Sequence, residues 1–268
     1  MRKSQLPRMN LLAGLCVLLL AAGCASNEAA VKRLRAGYDA LAARQLDQAL
    51  AAADEVLAGS PPDTLPAEAR YLRGRVFEER AVAGLGNTGD NFRIARSEYV
   101  AALNLPHKPD LDGDLRAGVA LVAFHQDDYP TALEQWSAAY EKLNRPEDKV
   151  LTLYQLGRTA QRLGRWEQAD GYLTRVQESA PGTELAIKAR SIQGARAFTV
   201  QLTTFDNARQ ADAAAAELRK QGVAAQHAID PASPTRHLLR VGPLRNYAEA
   251  HSIKARFAAR YPAAIILP

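Results

Sequence analysis

The stretch TVQLTTFDN, residues Thr199–Asn207, decides the fold of the C-terminal part of this 268-residue chain. It aligns without gaps, 39 residues further on, with LLRVGPLRN, residues Leu238–Asn246. In both copies a segment of alternating apolar and polar residues runs into an Asn and then into a segment with helical periodicity. Alternation with a period of two predicts a strand with one buried face, and Asn is a preferred residue before a helix. The sequence therefore predicts a duplicated strand–helix unit.

Two further apolar runs, Val223–Ile229 and Ala263–Leu267, complete the order β-α-β-β-α-β. This is the order of the ferredoxin-like sandwich, in which two helices cover one face of a sheet and the other face stays open. Polar residues alternate with apolar ones along the first strand, which predicts that they share the open face with residues of the third strand. The predicted residues of this open face are Thr199, Gln201, Thr203, Leu238 and Arg240. Such a face is a candidate binding surface.

Three motifs make residues 195–268 similar to the SPOR (sporulation-related repeat) domain. They are FTVQL at Phe198–Leu202, LRKQG at Leu218–Gly222 and LRVGPL at Leu239–Leu244. The resemblance implies binding to peptidoglycan, with a preference for glycan strands that amidases have stripped of their stem peptides, as found at division septa.

The resemblance also implies which residues hold the glycan. Gln201 matches a Gln of the family's first strand, Thr204 a small residue near the end of that strand, and Arg240 a basic residue of the third strand. Together with Thr199 and Thr203 they form the predicted glycan-binding set. A guanidinium can hold the lactyl carboxylate of muramic acid in a bidentate pair, and Gln and Thr can hydrogen-bond hydroxyl and acetamide groups.

This sequence departs from the SPOR pattern at two places. Leu238 stands where the family often has Arg, and the last strand, Ala263–Leu267, lacks an aromatic residue that some members place against sugar. These departures predict weaker glycan binding than is usual for the family.

The N-terminal segment resembles the leader of a bacterial lipoprotein. A basic segment, residues 1–8, precedes the apolar run Leu11–Ala22, which is too short to span a bilayer and is typical of a secretory signal. The resemblance implies that residues 1–23 are removed and that Cys24 is lipidated. In a cell with two membranes, Ala25 after the Cys implies sorting to the outer membrane. The alternative is an ordinary signal peptide that happens to end in a Cys.

Composition and net charge indicate a globular protein with a basic C-terminal part. The 47% apolar and 24% charged residues are those of a globular protein. Without residues 1–23 the net charge is near +2, and residues 195–268 alone carry +5. A modest positive field of this kind favours anionic partners but does not require nucleic acid.

Residues 29–192 show helical periodicity, with small residues at regular spacing. Gly37, Ala49 and Pro61 follow one another at intervals of twelve, and the same intervals separate Gly157 from Ala169 and Ala169 from Pro181. This pattern resembles the tetratricopeptide repeat (TPR), a helix–turn–helix unit. Four units are anchored on Ala49, Ala95, Ala132 and Ala169, and each has an apolar plug three residues earlier: Leu46, Phe92, Tyr129 and Trp166. The third unit has Ala120 in place of the first-helix Gly.

These observations predict an α + α/β protein of two domains, a TPR-like helical solenoid at 29–192 and a ferredoxin-like SPOR domain at 195–268. Helical repeats commonly bind peptides or protein surfaces on their concave face, although such an array can also be only a spacer. The predicted function is a non-catalytic adaptor on the periplasmic face of the outer membrane, held by its lipid, that binds glycan strands and recruits a protein or peptide. The alternatives are a scaffold for outer-membrane or secretion machinery and, less favoured, a cell-wall-modifying enzyme.

The patterns that could indicate an enzyme are weak. There is no H-x-x-x-H motif and no cluster of Cys, so we predict neither a metal nor a cofactor. The adjacent carboxylates Glu78-Glu79 and Asp127-Asp128 are typical of solvated surfaces. The stretch GLGNTG, Gly84–Gly89, satisfies the dinucleotide pattern G-x-G-x-x-G, but the segment before it is helical, so we predict a loop.

Nucleic-acid binding is a further alternative, because RNA-recognition modules share the order β-α-β-β-α-β. Those modules stack bases on aromatic side chains of the third strand. Here that strand, His237–Val241, has no aromatic pair, and the chain carries an export leader. We therefore predict no nucleic-acid partner.

Overall fold

The computed structural model describes the backbone of residues 11–231 and 233–268 and the side chains of residues 27–231 and 233–268. The predicted leader, residues 1–23, and the predicted lipid attachment at Cys24 fall outside the residues whose side chains are described. Over the part of the chain that the structure describes, no helix is both long and apolar enough to cross a membrane. The chain forms two compact units, of which the first ends at Asn144 and the second begins at Arg145.

The first unit consists of antiparallel helical hairpins, α1 with α2, α3 with α4 and α5 with α6. Their bounds are α1 Leu11–Ala42, α2 Leu46–Ala58, α3 Leu65–Val82, α4 Thr88–Leu103, α5 Pro109–His125 and α6 Tyr129–Lys142. The anchoring alanines of the repeats, Ala49, Ala95 and Ala132, lie on the second helix of each hairpin and are fully buried. The helical-repeat architecture predicted from the spacing of small residues is thereby confirmed.

Close approach of α3, α4 and α5 depends on two glycines that face one aromatic ring. Tyr99 of α4 is fully buried, and a Cβ added at Gly74 of α3 would lie 2.5 Å from its ring. A Cβ added at Gly118 of α5 would lie 2.7 Å from the same ring. Ala120, which takes the small-residue position of the third repeat, is buried as well, but Gly118 makes the close contact.

The stretch Gly84–Gly89 joins two helices. One residue separates it from the end of α3, and α4 begins inside it at Thr88, where the side chain of Asn87 accepts a hydrogen bond from the N–H of Asp90. A dinucleotide fingerprint needs a strand in front of it. The prediction of a loop is therefore confirmed, although the last two residues of the stretch are already helical.

The second unit contains three helices followed by the predicted β-α-β-β-α-β order. The elements are α7 Pro146–Arg162, α8 Trp166–Ser179, α9 Glu184–Ile192, β1 Phe198–Phe205, α10 Ala208–Lys220, β2 Ala225–Asp230, β3 Ser233–Leu244, α11 Tyr247–Arg256 and β4 Ile265–Leu267. The strands form one antiparallel sheet in the order β2-β3-β1-β4. Apolar residues on one face of the sheet form a core with α10 and α11, which confirms the α + α/β fold class.

The last repeat hairpin packs with the sheet in the same compact unit. Trp166, at the start of α8, has its ring centroid 5.0 Å from that of Phe198 in β1. The guanidinium of Arg162 lies 4.2 Å from the ring centroid of Tyr247. Asp170 of α8 accepts a hydrogen bond of 2.8 Å from the N–H of Gly194 in the connecting segment. These contacts hold the hairpin against the sheet. The domain boundary between residues 192 and 195 stays a prediction.

Gly242 of β3 lies close against the backbone of β1. Its φ of +151° lies in a region that favours glycine. A Cβ at this position would lie 3.0 Å from the carbonyl oxygen of Phe198 and 3.2 Å from Oγ1 of Thr199. The Gly of the RVGP motif is therefore needed for the pairing of β3 with β1.

We expect Gly242→Ala to destabilise the second unit by about 1–3 kcal/mol, because an L side chain is strained at this φ and crowds β1. Hydrogen-exchange mass spectrometry of the full chain, read on the peptides of β1 and β3, measures this loss. Gly171→Ala is the matched control, since it lies in α8 and a Cβ there has no neighbour within 4 Å. It should stabilise the unit by roughly 0.5–1 kcal/mol. Equal hydrogen-exchange protection of β1 and β3 in the two variants would contradict the role of Gly242 in the pairing of these strands.

Candidate functional site

A transverse row of four side chains crosses the sheet face opposite α10 and α11. In the strand register Gln226 of β2 pairs with Arg240 of β3, Arg240 with Gln201 of β1, and Gln201 with Ile265 of β4. Residues directly opposite one another in an antiparallel ladder project from the same face. Two of the predicted glycan-binding residues are therefore neighbours at the centre of the open face.

Gln201 and Arg240 are joined by a hydrogen bond. The Nη2 of Arg240 donates to Oε1 of Gln201 over 3.3 Å, and both side chains are half-buried. The Nε of Arg240 is shielded from solvent and has no hydrogen-bond partner among the described residues. The amide thus orients a guanidinium that keeps further N–H donors, and a carboxylate is the ligand that matches such a fork of donors.

The three threonines of the predicted site are placed differently from one another. Thr199 pairs with Leu267 of β4, next to the Gln201 row. An irregularity in the register between Gln201 and Thr203 then sets Thr203 opposite Leu239, a fully buried residue of the helix-side core. Thr204 lies opposite Leu238 instead and is exposed. The bulge interrupts the alternation on which the open-face placement of Thr203 was predicted.

Leu238 lies two residues before Arg240 in β3, and therefore on the predicted open face, but it is buried, with a relative exposure of 3%. It pairs with Ala228 on one side and with Thr204 on the other. The position where other SPOR sequences often carry Arg is therefore occupied here by a shielded apolar side chain. Arg240 therefore supplies the positive charge at the centre of this face.

Gln226 and Ile265 belong to the row but were not among the predicted site residues. Gln226 lies within Val223–Ile229, which the sequence presents as an apolar run, and β4 is only three residues long, which is too short for alternation to show. Ile265 is 46% exposed and provides an apolar surface in the strand that lacks an aromatic residue. A Gln in the middle of an apolar run was the available signal for the first of these residues.

The prediction that Glu78-Glu79 lies on a solvated surface is wrong for Glu78. Glu78 is buried, with a relative exposure of 7%, and its Oε2 accepts a hydrogen bond of 2.6 Å from the hydroxyl of Tyr99. Its Oε1 lies 3.6 Å from Nε of Arg75. Burial raises the pKa of Glu78 above its ordinary value, since the charged form loses its solvation.

The second carboxylate pair also has a structural role. Asp128 precedes α6, where its side chain accepts a hydrogen bond from the N–H of Thr131, and it forms an ion pair of 2.8 Å with Arg96. Asp127 accepts a hydrogen bond from the hydroxyl of Tyr129. Within the described residues, no group of three or more His, Cys, Asp or Glu side chains could hold a metal ion.

Comparison with known proteins identifies the C-terminal part. Residues 194–268 match the sequence model of the SPOR domain family. These residues are a SPOR domain. SPOR domains bind peptidoglycan, and both this domain and TPR-type arrays are typically non-catalytic binding modules. The SPOR domain indicates a protein of the cell envelope.

Parts of the chain also align with solved structures of other proteins. The pilF protein of Pseudomonas aeruginosa matches with 16% identity and a TM-score of 0.48, over 89% of this chain and 95% of that one. YrrB, described as a TPR protein with an unusual peptide-binding site, matches with 21% identity and a TM-score of 0.32, over 60% and 92%. The TPR domain of P58(IPK) matches with 16% identity and a TM-score of 0.34, over 72% and 50%. A search of curated proteins finds no significant match.

We expect the variant Glu78→Gln to change how stability depends on pH. The raised pKa means that the folded state keeps its proton where the unfolded state has released it. The stability contributed by the protonated group is therefore present below the ordinary pKa of 4.5 and is lost as the pH rises above it. Between pH 4 and pH 7, the thermal unfolding temperature of the variant should rise relative to that of the wild type as the pH increases. Glu79→Gln, whose side chain is 39% exposed, is the control, and parallel curves for Glu78→Gln and wild type would contradict the assignment.

Proposed function

We propose that this protein is a non-catalytic adaptor of the bacterial cell envelope. Its SPOR domain binds peptidoglycan glycan, and its helical hairpins recruit a protein partner. The observation that carries the proposal is the Gln201–Arg240 pair at the centre of the open sheet face. It combines a held guanidinium with amide groups on a domain whose net charge is +5.

The ligand that suits this face best is glycan stripped of its stem peptides. Removal of the peptide leaves a lactyl carboxylate on each muramic acid, which Arg240 can hold through two N–H donors. Gln226, Gln201 and Thr199 supply donors and acceptors for hydroxyl and acetamide groups. Ile265 offers an apolar surface beside them for the faces of the sugar rings. Since peptide-stripped strands are found at division septa, we place the protein there.

A lipid on Cys24 is the proposed second attachment to the envelope. The lipoprotein leader pattern, with Ala25 after the Cys, supports anchoring at the periplasmic face of the outer membrane. Several acyl chains hold a protein on a membrane far more firmly than one. Two simultaneous attachments raise the effective concentration of the SPOR domain at the wall, so weak glycan binding suffices to localise the protein.

The hairpins of the first unit are the proposed site for a protein or peptide partner. A small cavity opens between the first helices of the three hairpins. Its lining residues are Tyr38, Glu68, Lys108, Asp110, Leu111 and Asp114. Three successive hairpins thus contribute to one concave surface, as helical-repeat proteins use for peptide recognition.

Binding of the full chain to purified sacculi tests the glycan site. We expect wild type to co-sediment more strongly with amidase-treated than with untreated sacculi. Arg240→Ala should weaken binding about 10- to 100-fold, because hydrogen bonds to a charged group contribute roughly 1.5–3 kcal/mol. Gln201→Ala should weaken it less. Arg209→Ala is the matched control, since it removes an exposed Arg of α10 from the same domain and should bind as wild type does.

Each result separates one part of the proposal from the rest. Wild type that ignores both kinds of sacculi would refute glycan binding. Equal binding to treated and untreated sacculi would refute only the preference for stripped strands. An Arg240→Ala variant that binds undiminished would refute the site assignment while leaving the function in place.

Metabolic labelling with an alkyne-tagged fatty acid tests the anchor. We expect the wild type to incorporate the label and to fractionate with outer membranes. Cys24→Ser should lose both properties, because the hydroxyl cannot form the thioether through which the diacylglycerol is attached. Cys16→Ser controls for the other Cys of the chain. Labelling that survives in Cys24→Ser would exclude lipidation at this residue.

A further inference from the structure

Two histidines and a carboxylate form a chain of hydrogen bonds in the SPOR domain, away from the open face. Nε2 of His227 in β2 lies 2.9 Å from Nδ1 of His237 in β3, and the ring centroids are 4.9 Å apart. Nδ1 of His227 lies 2.9 Å from Oδ1 of Asp212 in α10. His227 pairs in the sheet with Leu239, a core residue on the helix side. The chain is therefore on the face opposite the Gln201–Arg240 row.

The carboxylate determines how the two rings can share their protons. Asp212 accepts a hydrogen bond, so Nδ1 of His227 carries the proton and its Nε2 presents a lone pair when the ring is neutral. That lone pair accepts the N–H of His237. The ring nitrogens Nε2 of His227 and Nδ1 of His237 thus converge on one point, and His227 is largely shielded from water, with 18% of its side chain exposed.

We propose that this point is a binding site for a transition-metal ion of the Zn²⁺ or Cu²⁺ class, with Nε2 of His227 and Nδ1 of His237 as its two protein ligands. Neutral imidazole is a preferred ligand of these ions. His237 changes tautomer when the ion binds, so that its proton moves from Nδ1 to Nε2 and no net proton is lost. Asp212 then acts as the outer carboxylate that fixes the tautomer and the ring orientation of His227, as is usual for metal-binding histidines.

The geometry needs only a small adjustment. Two nitrogens at the usual Zn–N distance of about 2.0–2.1 Å in a tetrahedral site are about 3.3 Å apart. The two nitrogens here are 2.9 Å apart, so the rings must separate by roughly 0.4 Å for an ion to replace the hydrogen bond. Among the described residues no third His, Cys, Asp or Glu joins the pair in a metal-binding group. Water completes the coordination, and the site is open to an exchangeable ligand.

Binding would link β2 to β3 and hold His227 against α10. An ion that binds only the folded domain stabilises it by a free energy that grows with the logarithm of the ion concentration once this exceeds the Kd. Since the site lies on the opposite face from Arg240, it is independent of the glycan proposal.

Isothermal titration of the untagged full chain with Zn²⁺ tests the site. We expect one saturable equivalent for wild type and for His251→Ala, which removes an exposed imidazole of α11 from the same domain. His227→Ala and His237→Gln should lose this equivalent. Asp212→Asn should weaken it about 10-fold, because outer carboxylates contribute 10- to 100-fold in metal affinity. Circular dichroism of each variant verifies that it is folded.

Pulsed electron paramagnetic resonance with Cu²⁺ gives a second measurement, because it counts the coordinated imidazoles. Two imidazoles in wild type and one or none in His237→Gln support the proposal. Binding that survives in both His variants, or its absence in wild type, overturns it. A single imidazole in wild type overturns it too, since the site is defined by the convergence of both rings.

Discussion

The antiparallel pairing of β1 with β3 is the constraint on which the SPOR domain depends. These strands are the equivalent parts of the duplicated unit, and they lie side by side at the centre of the sheet. Gln201 and Arg240 are equivalent positions 39 residues apart, and the register sets them directly opposite one another. Because each copy contributes one helix to the same face, α10 and α11 both pack there, and the Gln201–Arg240 row lies on the other face. Gly242 permits the approach, since any side chain there would crowd Phe198.

The helical hairpins depend on a different constraint, the fit of large rings against residues without side chains. Tyr99 fills the space between α3 and α5 only because Gly74 and Gly118 leave room for its ring. The same ring brings a hydroxyl to Glu78, whose burial would be costly without a donor. A buried carboxylate of this kind is part of the packing, and we interpret it as structural.

The last helical hairpin, α7 with α8, packs against the sheet of the SPOR domain. Trp166 occupies the position of the apolar plug in its repeat, yet its ring packs on Phe198 at the start of β1. Arg162 and Asp170 make further contacts with the sheet domain and with the segment that leads into it. A fragment that starts at residue 195 would lose these contacts. For this reason the binding experiments above use the full chain.

The sequence by itself determined the elements and their order. Alternation, helical periodicity and the spacing of small residues are local properties, so they predicted the strand–helix duplication, the helical hairpins and the central residues Gln201 and Arg240. The tertiary structure decided which further side chains join that surface and which leave it. The bulge after Gln201 turns Thr203 towards a core position, Leu238 becomes buried, and Gln226 and Ile265 join the row through strand register. His227, His237 and Asp212 meet only because β2, β3 and α10 pack together. Register and burial depend on contacts between distant segments, and no local pattern encodes them.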